Sequence, residues 1–281
     1  MRLFLSQLRW ELVRLLGRKR TYIGFGAFVV LEVALVGFFQ LDGPQRWIRR
    51  TAEEAGAAGD VMSALTLAFL VLSFSVFLLG GIYVALVAGD IVAKDAEDGT
   101  LRMVLCRPVS RLRVLLLKWI SCLLYTFVLI GFIGLTSLLA GVAIRGWGGT
   151  FLVAAPEQGL LTLYPWGEGL RRYGAGVGLL ALSMTTVGSL AFFFSCLRIK
   201  PAAATILALT VLFVDFVLEK MPFLADYRHY FLAPKMNAWI GILRDRVPVS
   251  EMLRDYAFLG GVGVTCFVLG WMVFAARDFK G

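Results

Sequence analysis

Six long apolar runs alternate with short polar intervals along the chain, near residues 21–41, 62–89, 112–144, 174–197, 201–219 and 256–276. Each is long enough to cross the roughly 30 Å hydrocarbon layer of a bilayer as a helix. In lipid the backbone must satisfy its own polar groups, which leaves helices or a closed barrel. The sequence shows no strand-length alternation of apolar and polar residues. The pattern therefore predicts an all-α membrane protein with six transmembrane helices. The third run is longer than a crossing needs and is expected to tilt or project beyond the bilayer. Ahead of the first run, Phe4, Leu5, Leu8, Leu12, Leu15 and Leu16 share one helical face, and Arg2, Gln7, Arg9, Glu11, Arg14 and Arg18 fill the rest. Residues 1–20 read as an N-terminal amphipathic helix suited to the headgroup layer.

Composition supports this reading and narrows function. The chain has 281 residues, 59% of them hydrophobic, and a mean hydropathy of +0.80, more apolar surface than a soluble domain of this size can bury. Its net charge of +9 then belongs to loops facing the cytoplasm and anionic lipid, not to nucleic-acid binding. A cytoplasmic N-terminus places the Arg18-Lys19-Arg20 cluster and the cations of residues 90–111 inside. Both termini are then cytoplasmic, as expected for a multi-pass protein of the plasma membrane, in bacteria the inner membrane. Residues 42–61, 145–173 and 220–255 would face outward. The last of these fits the positive-inside pattern poorly, because it holds Lys220, Arg228, Lys235, Arg244, Arg246 and Arg254. Its prolines, Pro222, Pro234 and Pro248, favour short interfacial or re-entrant helices. The first apolar run is too long for a cleaved signal segment. Cys106, Cys122, Cys196 and Cys266 form no C-x-x-C pair and read as small buried hydrophobes.

Catalytic chemistry is hard to find. His229 is the only histidine, and no metal-ligand spacing accompanies it. No Gly-Lys dipeptide occurs, so the chain has no phosphate-binding loop and no cofactor of its own is expected. The informative stretch is "AKDAEDGTLRMVLCRPVSRLRVLLLKW", residues 93–119, where charge is concentrated between two apolar runs. Lys94, Asp95, Glu97 and Asp98 make the last turns of the second span polar. Gly99 can take the left-handed conformation that ends a helix. Thr100 can accept an N–H and begin another. That next helix is short because Pro108 follows. Leu101, Met103, Val104 and Leu105 give it an apolar side, and Arg102 and Arg107 rim it. Ser110 is placed to cap the third span. Such a stub could dock in a groove of a cytosolic protein or lie as a solvated loop with snorkelling arginines.

The stretch resembles the type-2 ABC exporter permeases. Their pattern of an acid, Gly-Thr-Leu, a short apolar run, Arg-Pro-x-Ser-Arg and a lysine opening the third span is matched here by Glu97, Gly99, Thr100, Leu101, Arg107, Pro108, Ser110, Arg111 and Lys118. The ending "FAARDFKG" is similar to the family's closing Phe-x-x-Arg-Asp through Phe274, Arg277 and Asp278. The resemblance implies that residues 1–281 form a single transmembrane permease domain that pairs with a second copy and with two copies of a cytosolic ATPase. ATP and Mg would be bound by that ATPase. Residues 97–111 would be the coupling helix seated in it, and the chain would be a non-enzymatic permease subunit of an ATP-driven exporter. An alternative within the same complex is transmission of conformational work to an extracytoplasmic protein. A solitary membrane enzyme or ion-coupled carrier is disfavoured by the scarcity of histidine and intramembrane acids.

Two acids inside apolar runs stand out. Glu32 lies midway along the first span, and Asp215 late in the fifth, with Glu219 one turn on. A charge at such depth costs about 2.5–3.5 kcal/mol on insertion scales. Glu32 and Asp215 either line a pathway or dimer seam, or bond to neighbouring helices and hydrated headgroups. Gly174-x-x-x-Gly178 permits close helix approach, a packing role.

Overall fold

A computed structural model describes residues 2–17, 19–54, 62–105, 110–155 and 160–276. Among these residues, six helices are long and apolar enough to span a membrane. Helix α1 (Arg2–Leu16) precedes the first span, α2 (Lys19–Phe39), and a short helix α3 (Asp42–Glu54) follows it. The second span joins α4 (Ala64–Ser75) to α5 (Gly81–Glu97) through a π-helical turn at Val76–Gly80. A stub, α6 (Thr100–Leu105), leads to the third span, α7 (Arg111–Arg145), which at 35 residues is as long as its sequence suggested. The remaining spans are α8 (Trp166–Ser195), α9 (Pro201–Glu219) and α11 (Val249–Ala275), with a short α10 (Leu232–Met236) between the last two.

Local chemistry sets several of these boundaries. Ser63 has extended backbone, and its hydroxyl accepts the Thr66 N–H at 3.3 Å, starting α4. Ser110 does the same for α7 through the Arg113 N–H at 3.4 Å, as its position predicted. Pro201 opens α9, where its missing N–H costs nothing. Gly146, at φ +77°, ends α7 in a conformation that favours glycine.

Helix α8 lies at the centre, packed against α5, α7, α9 and α11, and its apolar stretch is 56% buried. The flanks of the bundle are apolar and open: Val30 and Val33 of α2, Ile206 and Phe213 of α9, and Leu253 and Met272 of α11 are all exposed. This distribution is stable only where lipid or other protein replaces water. The chain is a multi-pass membrane protein of the all-α class predicted.

The two ends of the bundle differ in architecture. One end gathers α1, the end of α5, α6, the start of α7, the turn 196–200 and the end of α11. The opposite end carries an antiparallel hairpin, β1 (Phe151–Ala155) with β2 (Leu160–Tyr164), in the register Phe151 to Tyr164 and Ala155 to Leu160. Helices alone were expected outside the spans. The hairpin forms because Phe151, Leu152 and Val153 are all buried against the bundle end, and the Leu152 N–H reaches Thr66 Oγ1 at 3.0 Å. Residues 222–243 run mostly as 3₁₀ turns around α10, close to the short helices the prolines suggested.

Candidate coupling site

The charged stretch of residues 93–119 folds back on the bundle. Helix α5 continues to Glu97 without a break, so Lys94, Asp95 and Glu97 belong to one helix. Lys94 bridges Glu97 at 3.0 Å and Asp98 at 3.1 Å on the exposed side. Gly99 then takes φ +71°, the left-handed turn its sequence position anticipated. Thr100 opens α6, as its position suggested, and makes one bond the sequence did not indicate. Its hydroxyl donates back to the Asp95 carbonyl at 3.1 Å, satisfying one of the carbonyls that the end of α5 leaves open. Leu101 is 1% exposed and roots α6 against α5, whereas Met103, two residues on, is 66% exposed. The stub therefore presents an apolar tip from a fixed base. Arg107 and Pro108 lie outside the described residues.

Beneath the stub sits an ion cluster contributed by three helices. Asp95, one of the residues that make the last turns of the span polar, is 2% exposed. Arg14 of α1 donates to both of its oxygens, at 2.9 and 3.3 Å. Lys118 of α7 pairs with the same carboxylate and also donates to Glu11 Oε1 at 2.8 Å and to the Ile91 carbonyl at 3.2 Å. One buried acid thus ties the N-terminal helix, the second span and the third span together. Removing one member of such a group strands a buried charge, at a cost of about 3–5 kcal/mol.

The stub's far side is anchored as well. Arg111, at the first turn of α7, donates to the Ala275 carbonyl at 2.8 Å. A cation at the end of α11 also meets the negative pole of that helix. Phe274 beside it is fully buried. The two motifs that carried the resemblance, in the loop and at the C-terminus, therefore meet in space. Arg277 and Asp278 lie outside the described residues. An open cleft of about 230 Å³ lies between the end of α5 and the turn before α9, lined by Ala93, Ala96, Glu97, Arg198, Ile199, Lys200 and Pro201.

Glu32 and Asp215 lie elsewhere. Glu32 is 3% exposed, and its Oε1 accepts from Thr136 and Ser137 of α7, each at 3.0 Å. Asp215 accepts the N–H groups of Leu232 and Ala233, at 3.0 and 2.8 Å, and so caps α10. His229 packs against Tyr230 with ring centroids 3.9 Å apart and the rings tilted by 43°, and no metal-binding cluster occurs among the described residues.

Sequence reasoning singled out Lys118 but missed its partners. Asp95 carried a signal: it continues the stripe Val84, Ala88, Ile91 on the buried face of α5, where an acid calls for a cation. Glu11 and Arg14 carried little, because their partners are 107 and 81 residues away.

Residues 13–227 match the family model of the ABC-2 family transporter proteins. A stretch of 72 residues, 26% of the chain, is 33% identical to part of the uncharacterized protein YhcI of Bacillus subtilis (strain 168). That stretch amounts to 23% of the relative's own length.

Proposed function

Because the chain belongs to the ABC-2 family of transporter proteins and is a membrane subunit of an ABC transporter, we propose that it couples ATP hydrolysis by a separate ATPase to export of a substrate. The family implies a partner ABC ATPase subunit. In our reading two ATPase copies, holding ATP and Mg, serve two copies of this chain in a bacterial inner membrane, with both termini cytoplasmic. The apolar flanks of α2, α9 and α11 suit lipid and the second copy.

The observation that carries this reading is the base of the stub. Leu101 is buried, Met103 projects, and the ion cluster of Asp95, Lys118, Arg14 and Glu11 ties that base to α1, α5 and α7. A push on Met103 would therefore reach three helices at once, and Arg111 would pass it to the end of α11. Glu97, Gly99, Thr100, Leu101, Arg107, Pro108 and Arg111 are the coupling residues in this scheme. Glu97 is half-exposed and pairs with Lys94 beside it, which leaves it accessible to a partner.

The test is site-directed cross-linking from Met103→Cys in membranes containing the chain and its ATPase. The expected product joins this chain to the ATPase in a nucleotide-sensitive yield. Labelling of the introduced thiol from the extracytoplasmic side, or the absence of any ATPase adduct, would overturn the proposal.

A further inference from the structure

The second span is not one regular helix. Its middle turn, Val76–Gly80, is π-helical, with the outer side chains Phe77 and Leu78 75% and 44% exposed and Val76 and Gly80 buried. Such single wide turns are frequent at functional positions and are among the few causes of sharp helix bends. The halves on either side are held by different parts of the molecule. Toward the hairpin, α4 is pinned by the Thr66–Leu152 bond and by the close approach of Gly141 to the Ala64 carbonyl. Beyond the turn, α5 is gripped by α8 and α9. Ser195 Oγ accepts both the Val92 and Ala93 N–H groups, at 3.0 and 2.9 Å. Gly89 lies so near α9 that an added Cβ would be 2.6 Å from Thr205 Oγ1.

The geometry points to the π-turn as a joint, at which α5 tilts with the coupling stub and with the last turn of α8 at Ser195, while α4 stays with the hairpin end. A small motion suffices. Helix α5 is about 25 Å long at 1.5 Å per residue, so a change of about 5° at the joint moves its tip by about 2 Å. Bending disturbs backbone hydrogen bonds, and spare donors stand next to the turn. The hydroxyls of Ser73 and Ser75 have no hydrogen-bond partner among the described residues. In membrane helices such hydroxyls re-satisfy freed carbonyls.

Adjacent glycines separate the joint from ordinary packing. A Cβ on Gly80 would meet Val76 Cγ1 at 2.9 Å and its Cβ at 3.2 Å, whereas a Cβ on Gly81 meets nothing within 4 Å. Alanine is the most favourable residue in a regular α-turn, so Gly80→Ala disfavours the wide turn specifically.

The inference rests on the coupling reading above, and hydrogen–deuterium exchange on the ATPase complex in lipid vesicles tests the two separately. Peptides covering 98–105 report seating of the ATPase, and peptides covering 76–81 report the joint. On trapping with ATP and vanadate, amide exchange at 76–81 is expected to change about tenfold while 64–75 stays constant. Gly80→Ala is expected to abolish that change and slow ATP turnover about tenfold, Gly81→Ala to stay within about twofold, and Val76→Ala with Gly80→Ala to restore most of the loss. If 98–105 responds while 76–81 is silent, or if the Gly80 and Gly81 variants behave alike, the joint is refuted and the ATPase reading stands. If 98–105 never responds to the ATPase, the coupling reading falls and the joint's role falls with it. The wild-type exchange arm needs no variant, so poor assembly of Gly80→Ala does not shield the inference.

Discussion

The two ends of this molecule are held together by different chemistry. At the stub end, charged side chains hold one another: Arg14 and Lys118 converge on Asp95, and Lys118 also takes Glu11. At the hairpin end, side chains mostly hold backbone. Arg172 donates to the Ile242 and Arg244 carbonyls at 2.9 and 2.6 Å, Tyr164 and Thr162 both reach the Leu243 carbonyl, and Asp215 accepts two amides. A side chain bonded to backbone fixes a loop's shape and has few alternatives. A cluster of four charged groups can re-pair when its helices shift, because each member has more than one possible partner. The contrast suits a machine that moves at one end against a frame at the other.

The most disruptive way to test the contrast is to empty one position of the cluster. Lys118→Ala leaves Asp95 and Glu11 without their buried cation and is expected to cost about 3–5 kcal/mol, read as a large fall in the melting temperature of the solubilised protein. Replacing both sides of the pair, Asp95→Asn with Lys118→Met, removes the charges together. Most of the stability should return, since buried ion pairs seldom out-stabilise well-packed neutral groups. ATP-dependent function should not return, because the charged link that joins α1 and α7 to the end of α5 is gone. A double variant that transports normally would show the cluster to be packing alone.

At the hairpin end, Arg172→Met removes two charge-assisted bonds to backbone, the half-exposed ion pair with Glu168 at 2.7 Å and the stacking of the guanidinium 4.2 Å over the Tyr164 ring. The expected cost is about 1.5–3 kcal/mol. Limited proteolysis should find residues 237–248 more accessible, while ATPase association is unchanged. A variant that instead loses ATPase association with its stability intact would place moving parts at both ends and remove the contrast.

The reach of the sequence explains why this contrast was only half legible. Spans follow from hydropathy, a local property, and the runs at 112–144 and 201–219 coincide closely with α7 and α9. The bend at Gly99 and the cap at Ser110 are equally local, since a turn or a cap is decided by residues three or four apart. The burial of Asp95 is not local. Its partners lie on α1 and α7, and only the packed bundle brings them within hydrogen-bond distance. The hairpin was missed because its strands are five residues each and their burial against α4 and α8 carries no periodic signature longer than that. The π-turn leaves no trace in hydropathy at all, since Val76–Gly80 is apolar in either helical form.

Gly99 tests the local part of the reading. At φ +71° any side chain is strained, and alanine there is expected to cost about 1–2 kcal/mol. The space around it is open, so the strain is conformational and not steric. The molecule is expected to relieve it by re-aiming α6, which would weaken the Thr100–Asp95 bond and displace Met103. ATP-dependent function should fall well beyond what the small change in melting temperature implies. Gly99→Asn, better tolerated in that region of backbone space, should recover part of it.

Met103 should give the smallest effect on the fold and the sharpest reading of what the stub is for. Its side chain is two-thirds exposed. Met103→Glu is therefore expected to change stability by less than about 0.5 kcal/mol, as surface substitutions usually do. The same change places a charge at the tip that would have to be desolvated in a partner's groove, and an unpaired buried charge is costly. Co-purification with the ATPase should drop while the melting temperature holds. Met103→Leu keeps apolar volume and should leave association near the wild-type level. If Met103→Glu binds the ATPase as well as the wild type does, the tip is not seated in a groove. The ion cluster would then hold together a loop that no partner touches, and the difference between the two ends would be one of stability alone.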